Sequence, residues 1–149
     1  DVLTDPHLRG VDDLISQLPS IVEDNPMVDI FVVVIDRDCN RKNNVERIEN
    51  AARINGRIVP CCAIEEVEAW MLVLHRADLD ASWPDVRAEC DVKERYAIPF
   101  LRRVGDSGPG RGRKAAMREL GRGWRGLNDP CDEVPRLRDR IRETLQLPD

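Results

Sequence analysis

Two aspartates one residue apart close an apolar run, Val28-Asp-Ile-Phe-Val-Val-Val-Ile-Asp36-Arg-Asp38. If the extended backbone persists to its end, both carboxylates project to one side, because side chains alternate along a strand. Two such charges repel unless a cation lies between them, and hard oxygen ligands favour Mg²⁺ or Mn²⁺. Asp36 and Asp38 are therefore the expected metal ligands. The competing reading is structural: Asp commonly follows a strand, where it caps a helix or turns the chain, and a DxD pair alone is a weak motif.

A second acidic group follows, Glu65-Glu66-Val67-Glu68-Ala69-Trp70. Read as the opening turn of a helix directly after a strand, it falls at the same sheet edge as the aspartates. Glu65 and Glu68, three apart, then share a face while Glu66 points elsewhere. Either of the pair can complete a metal shell or orient a water for attack. Acids at a helix N-terminus also simply offset its dipole, worth about 0.3–1 kcal/mol each.

The third candidate is basic. Gly105-Asp-Ser-Gly-Pro-Gly-Arg111-Gly-Arg113-Lys114 reads as a glycine-rich loop opening a helix, where Arg111, Arg113 and Lys114 are expected to contact nucleic-acid phosphates. No strand leads into it, and it does not fit the GxxxxGK[ST] of a Walker A motif; a surface loop beside a solvated basic helix is the bland alternative. Trp83 and Trp124 are candidates for stacking bases or for packing, and Trp70 for the core. His7 and His75 read as structural. Cys39 follows the aspartates, whose charge should raise its pKa and argues against a nucleophile. Cys61 and Cys62 read as strand packing.

These groups need a scaffold. Residues 30–35 are almost all β-branched or aromatic, predicting a strand buried on both faces, as in a parallel sheet, and α/β proteins place their sites at the carboxyl edge of such sheets. Helical periodicity predicts a helix over 6–24, begun by Asp5-Pro6, and another over 42–55 closed by Asn55-Gly56. A second strand is expected at 57–64, with Pro60 marking an edge position or a bulge, and a third helix over 65–76. Alternating helix and strand implies right-handed crossovers and a parallel sheet flanked by helices. Two strands make a thin sheet, so a first strand is expected to be missing from before Asp1. Residues 1–80 form the expected α/β core. Residues 81–149 form a mostly helical C-terminal part packed on it: a short helix capped by Ser82, a broken helix over 92–104, and helices at about 111–121 and 133–146.

Composition bounds the function. The 149 residues suit one domain, with net charge −5 and 4 % aromatic residues. Residues 1–101 carry 11 Lys/Arg against 20 Asp/Glu, net −9, and 102–149 carry 12 against 8, net +4. An acidic body with a basic segment suits a metal at one place and a polyanion at another. Five cysteines without a CxxC framework predict reduced thiols and a cytoplasmic protein. Two distant histidines make zinc a poor candidate, and the apolar runs are too short to span a bilayer.

Together, Val-Ile-Asp36-Arg-Asp38, a helix, a second strand and Ala-Ile-Glu65-Glu66-Val-Glu68-Ala-Trp70 resemble the Toprim-related families. The closest likeness is to a group of bacterial Toprim-like proteins distantly related to the overcoming-lysogenization-defect nucleases. Tyr96-Ala-Ile-Pro-Phe100 and Gly108-Pro-Gly-Arg-Gly-Arg-Lys114 are similar to the same group. The resemblance implies a parallel sheet sandwiched by helices. Its acidic site holds Mg²⁺ for cutting or rejoining phosphodiesters, with Asp36 and Asp38 on the metal and Glu65 or Glu68 as added ligand or water-positioning group. The family's leading glutamate, on a strand before the first helix, has no counterpart here. Tyr96 is the only tyrosine, and it does not read as the one a topoisomerase needs in a separate domain.

Two functions are expected: an Mg²⁺-dependent (or Mn²⁺-dependent) nuclease-type phosphodiesterase, or a non-catalytic Toprim-like module that binds nucleic acid or a partner protein. A haloacid-dehalogenase-type phosphatase wants Thr or Val where Asn40 stands, and a receiver domain wants a lysine that has no clear place.

Overall fold

The computed structural model describes residues 8–40, 42–104, 116, 118 and 124–147. Helix α1 (Gly10–Asp24) leads into strand β1 (Phe31–Asp36), helix α2 (Asn44–Ala52) and strand β2 (Ile58–Ala63). Helices α3 (Glu68–Val73) and α4 (Trp83–Ala88), a π-turn (Lys93–Ala97), α5 (Ile98–Arg103) and α6 (Glu133–Thr144) follow. β1 and β2 pair in parallel, Phe31 opposite Ile58 through Asp36 opposite Ala63, the only sheet among the described residues. The architecture is α/β, as expected. No described helix is long and apolar enough to cross a membrane.

Two apolar layers sandwich the sheet. On one face Phe31, Val33, Ile35 and Ile58 pack with Leu18 and Val22 of α1 and Ile48 and Ala52 of α2. On the other, Val59, Cys61 and Ala63 meet Trp70 and Val73 of α3, Leu127, and Val134 and Leu137 of α6. A third cluster joins the far side of α3, through Ala69, Met71 and Leu72, to Val86, Val92, Ala97 and Phe100. Each fully buried aliphatic side chain contributes about 1.5–3 kcal/mol, so α3, buried on every side, ties the two halves together.

β1 departs from expectation. Its odd residues are buried, but Val32 and Val34 are 43 % and 38 % exposed. They share a face with Val59 and Cys61 through the register, yet α6 lies over β2 and leaves β1 open there. An all-β-branched run cannot reveal which face stays uncovered.

The two sheet edges also differ. Pro60 occupies the outer edge of β2, as expected for a residue without an N–H. Beside it Arg140 donates to the Pro60 carbonyl at 3.0 Å, Arg87 to the Ile64 carbonyl at 3.1 Å, and Glu133 accepts from the Ile64 N–H at 3.3 Å. That edge is closed by side chains. On β1 the outward Asp36 carbonyl takes the Asn44 amide at 3.1 Å, while no described strand lies along the side of β1 away from β2.

The predicted helices stand with trimmed ends. α1 begins at Gly10, and the predicted Asp5-Pro6 start lies outside the described residues. α4 is capped as expected: the Ser82 hydroxyl accepts from the Asp85 N–H. The broken stretch at 92–104 is the π-turn running into α5. The helix expected at 111–121 lies outside the described residues, apart from Ala116 and Arg118.

Candidate acidic cleft

The carboxyl ends of β1 and β2 face one another across two turns, and side chains knit the turns together. After Asp36 the chain takes three consecutive positive φ values, at Asp38 (49°), Cys39 (49°) and Asn40 (52°). L residues visit that region singly and at a cost. After β2, Glu65 also has φ 50°. Its carbonyl accepts from the Asp38 N–H at 3.1 Å. Its carboxylate accepts from the Cys39 N–H at 2.7 Å and pairs with the Arg37 guanidinium.

This differs from the expected placement of Glu65. It does not stand in a helix, because α3 begins only at Glu68, so the i, i+3 face shared with Glu68 does not exist. Glu65 is 3 % exposed, and each carboxylate oxygen already has a partner. Its carboxylate ties the turn after β2 to the turn after β1. The physical reason is tertiary: the left-handed backbone at 65 is stabilised by groups from the other strand's turn. Glu68 is buried at the first position of α3.

Glu66, expected to point elsewhere, instead lines a cleft of about 530 Å³ with Asp36 and Asp38, between the start of α1, the end of β1 and the start of α2. Asp36 Oδ1 accepts from the Val67 N–H at 2.8 Å. The structural reading of this aspartate is thus realised at the entry to α3 rather than on the helix that follows it in sequence. Glu66 Oε2 accepts from the Lys93 N–H at the head of the π-turn. The Glu66 pKa is raised, first by burial, then, against that hydrogen bond, by the charges of Glu68, Glu94 and Asp36. The rim carries Arg9, Lys42 and Arg47, of which Arg47 pairs with Asp12.

The donor chemistry suits a hard divalent cation held by two carboxylates and completed by water, as Mg²⁺ sites usually are. Among the described residues no three His, Cys, Asp or Glu side chains converge closely enough to hold a metal ion by themselves. Arg111, Arg113 and Lys114 lie outside the described residues.

The cysteines bring a correction. Cys39 and Cys90 form a disulfide, with Cα atoms 5.4 Å apart and a sequence separation of 51; the expectation of reduced thiols fails for this pair. Sequence spacing does not show proximity created by folding β1 against the segment after α4. Cys61, Cys62 and Cys131 are free. Burial pushes the Cys61 and Cys131 thiols up to about 12 and Cys62 to about 11, consistent with packing rather than nucleophilic roles.

One further residue, Glu133, escaped sequence reasoning. Glu133, 5 % exposed, accepts from the Trp70 indole N–H at 2.8 Å and from Arg87 at 2.7 and 3.1 Å, besides the Ile64 amide. It fixes the end of β2 from which Glu65 and Glu66 depart. Its only sequence signal is an acid at the start of a helix, which is too common to single it out. Trp83 donates to the Pro130 carbonyl at 3.1 Å, and the His75 ring lies 4.7 Å from that of Phe100. Both are packing roles.

No protein-family model, curated protein or solved structure matches the chain.

Proposed function

We propose that the cleft holding Asp36, Asp38 and Glu66 is the centre of an Mg²⁺- or Mn²⁺-dependent phosphodiesterase that acts on nucleic acid. The observation that carries this reading is that Asp36, Asp38 and Glu66 line one cleft at the carboxyl edge of a parallel sheet, with burial first and neighbouring like charge after it raising the pKa of Glu66. Such a cluster is relieved by a divalent cation. Asp36 and Asp38 would hold it, with Glu66 replacing Glu65 and Glu68 as the third acid. When bound, the cation would polarise a phosphoryl oxygen and lower the pKa of a coordinated water.

The chain's own groups have definable tasks. Val67 N–H fixes one oxygen of Asp36 and leaves the other for the cleft. Arg37 and Glu65 brace the turn behind Asp38. Arg9 and Lys42 on the rim supply positive charge for a phosphate backbone, a task the sequence also assigns to Arg111, Arg113 and Lys114. Placement in the Toprim-like group rests on the residues quoted for it and belongs to the same proposal, as does a cytoplasmic location.

A second reading has its own support. Glu65 is committed to Arg37 and the turn, and three ligands do not converge among the described residues; this favours a Toprim-like module that binds nucleic acid or a partner protein without cleaving. Cleavage of plasmid, single-stranded DNA and RNA with Mg²⁺ and Mn²⁺, beside an Asp36→Ala/Asp38→Ala variant, separates the two. Metal-dependent cleavage lost in the variant supports the enzyme. Absent cleavage, or cleavage unchanged in the variant, supports the module.

A further inference from the structure

The Cys39–Cys90 disulfide lies beside the acidic cleft, and its two ends lead to different acids. Cys39 is the middle residue of the left-handed run that carries Asp38. Two bonds hold that run from one side, the Cys39 N–H to Glu65 Oε2 at 2.7 Å and the Asn40 N–H to the Arg37 carbonyl at 2.7 Å. The disulfide holds it from the other. Cys90 ends the segment after α4, and three residues on, the Lys93 N–H binds Glu66. One covalent link therefore couples the turn bearing Asp38 to the segment that holds Glu66. Cys39 and Cys90 are both half-buried rather than buried residues.

We propose that this disulfide is a redox latch on the cleft. Oxidised, it keeps Asp38 and Glu66 on one cleft. Reduced, it frees the 38–40 turn to leave a backbone conformation that L residues adopt reluctantly, and the acids lose their common alignment. Opening is thiol–disulfide exchange with a low-molecular-weight thiol such as glutathione. Its thiolate attacks one sulfur, the Cys39–Cys90 bond breaks, a mixed disulfide forms, and the displaced cysteine leaves as thiolate. A second thiolate attacks the mixed disulfide and releases the other cysteine. Two electrons pass from the two small thiols to the protein, two protons end on Cys39 and Cys90, and the small-molecule disulfide departs. Closure is the reverse, with that disulfide as oxidant.

The cation side of this proposal rests on the cleft reading above, so the test has a readout free of it. The full chain is equilibrated in glutathione buffers of graded poise and the disulfide is scored by alkylation and mass. Amide hydrogen exchange is then followed at residues 38–40 and 93, and Mn²⁺ affinity by the resonance of free Mn²⁺. Cys90→Ser without reductant serves as a permanently open form, and Cys62→Ser as a control that keeps the latch. On reduction, exchange at 38–40 and 93 should quicken about tenfold and Mn²⁺ affinity fall about tenfold, with the strand amides unchanged. Cys90→Ser should match the reduced parent. Unchanged exchange at those residues, equal Mn²⁺ affinity in both states, or failure to form the disulfide at an oxidising poise overturns the latch. Exchange that quickens through the whole sheet makes the bond a global staple and also overturns it. Local quickening with no Mn²⁺ binding in either state supports the mechanical coupling and overturns the cation reading instead.

Discussion

Glu66 stands where burial and three neighbouring carboxylates oppose its charge, and that has a signed consequence for stability. Its folded-state pKa lies above the unfolded one, so the folded chain binds more protons. The stability tied to this group is therefore complete below the unfolded value and declines as pH rises through the folded value. Glu66→Gln, which can still accept from Lys93, is expected to be at least as stable as the parent at pH 7. The gap should close below about pH 4, as followed by urea midpoints. A clear loss of stability at pH 7 would contradict this. Cys62 is the most accessible of the free thiols, yet burial outweighs Arg37 and pushes it to about 11. Iodoacetamide should therefore label it at pH 7.5 roughly a hundredfold more slowly than an ordinary exposed cysteine, and the rate should keep climbing beyond pH 9. At this scale Asp36 was legible from residue type and strand period, but Asp38 was not placed by alternation, because the strand ends at Asp36 and Asp38 stands in a left-handed turn rather than in extended backbone. The glutamates were not legible. Their assignment turns on the backbone of Glu65, whose positive φ is held by Arg37 and Cys39 from another part of the chain.

Elements meet at Glu133. Its carboxylate binds Trp70 of α3, Arg87 of α4 and the Ile64 amide at the end of β2, and so sets how α6 seats against the sheet. Arg87 is only 14 % exposed, and truncating a buried partner leaves the other charge unpaired. Glu133→Ala is expected to cost about 3–5 kcal/mol in denaturant unfolding. Glu133→Gln, which retains an acceptor for the indole, should cost less, with Trp70 fluorescence reporting the difference. The Arg37–Glu65 pair is more exposed on its arginine side, so Arg37→Ala should cost about 1–3 kcal/mol, chiefly by stranding a buried carboxylate. Helices α1, α2 and α6 were legible because apolar periodicity over many residues carries the signal. The start of α3 was not: an acidic run that looks like a first helical turn is drawn out of the helix by bonds from the turn after β1.

For the whole molecule the two sheet edges are unequal. The β2 edge is closed by Pro60, Arg140, Arg87 and Glu133, whereas no described strand lies along the outer edge of β1, and Val32 and Val34 on the adjoining face are exposed. An open apolar edge is a template for pairing with another chain. Light scattering of this chain should therefore rise with concentration, and Val34→Lys should suppress the rise while moving the urea midpoint little. Scattering that Lys leaves unchanged would place the association elsewhere. What the amino-acid sequence determined by itself was the α/β class, the parallel pairing of two strands joined by a helix, and the delivery of Asp36 and Asp38 to the carboxyl edge. Those features follow from residue type and period over neighbouring positions. The tertiary structure alone decided that Glu66 rather than Glu65 joins the aspartates, that Cys39 meets Cys90, that Glu133 anchors the end of β2, and that one face of β1 stays bare. Each depends on contacts between residues distant in the chain, set by how whole layers pack, and no local pattern encodes them.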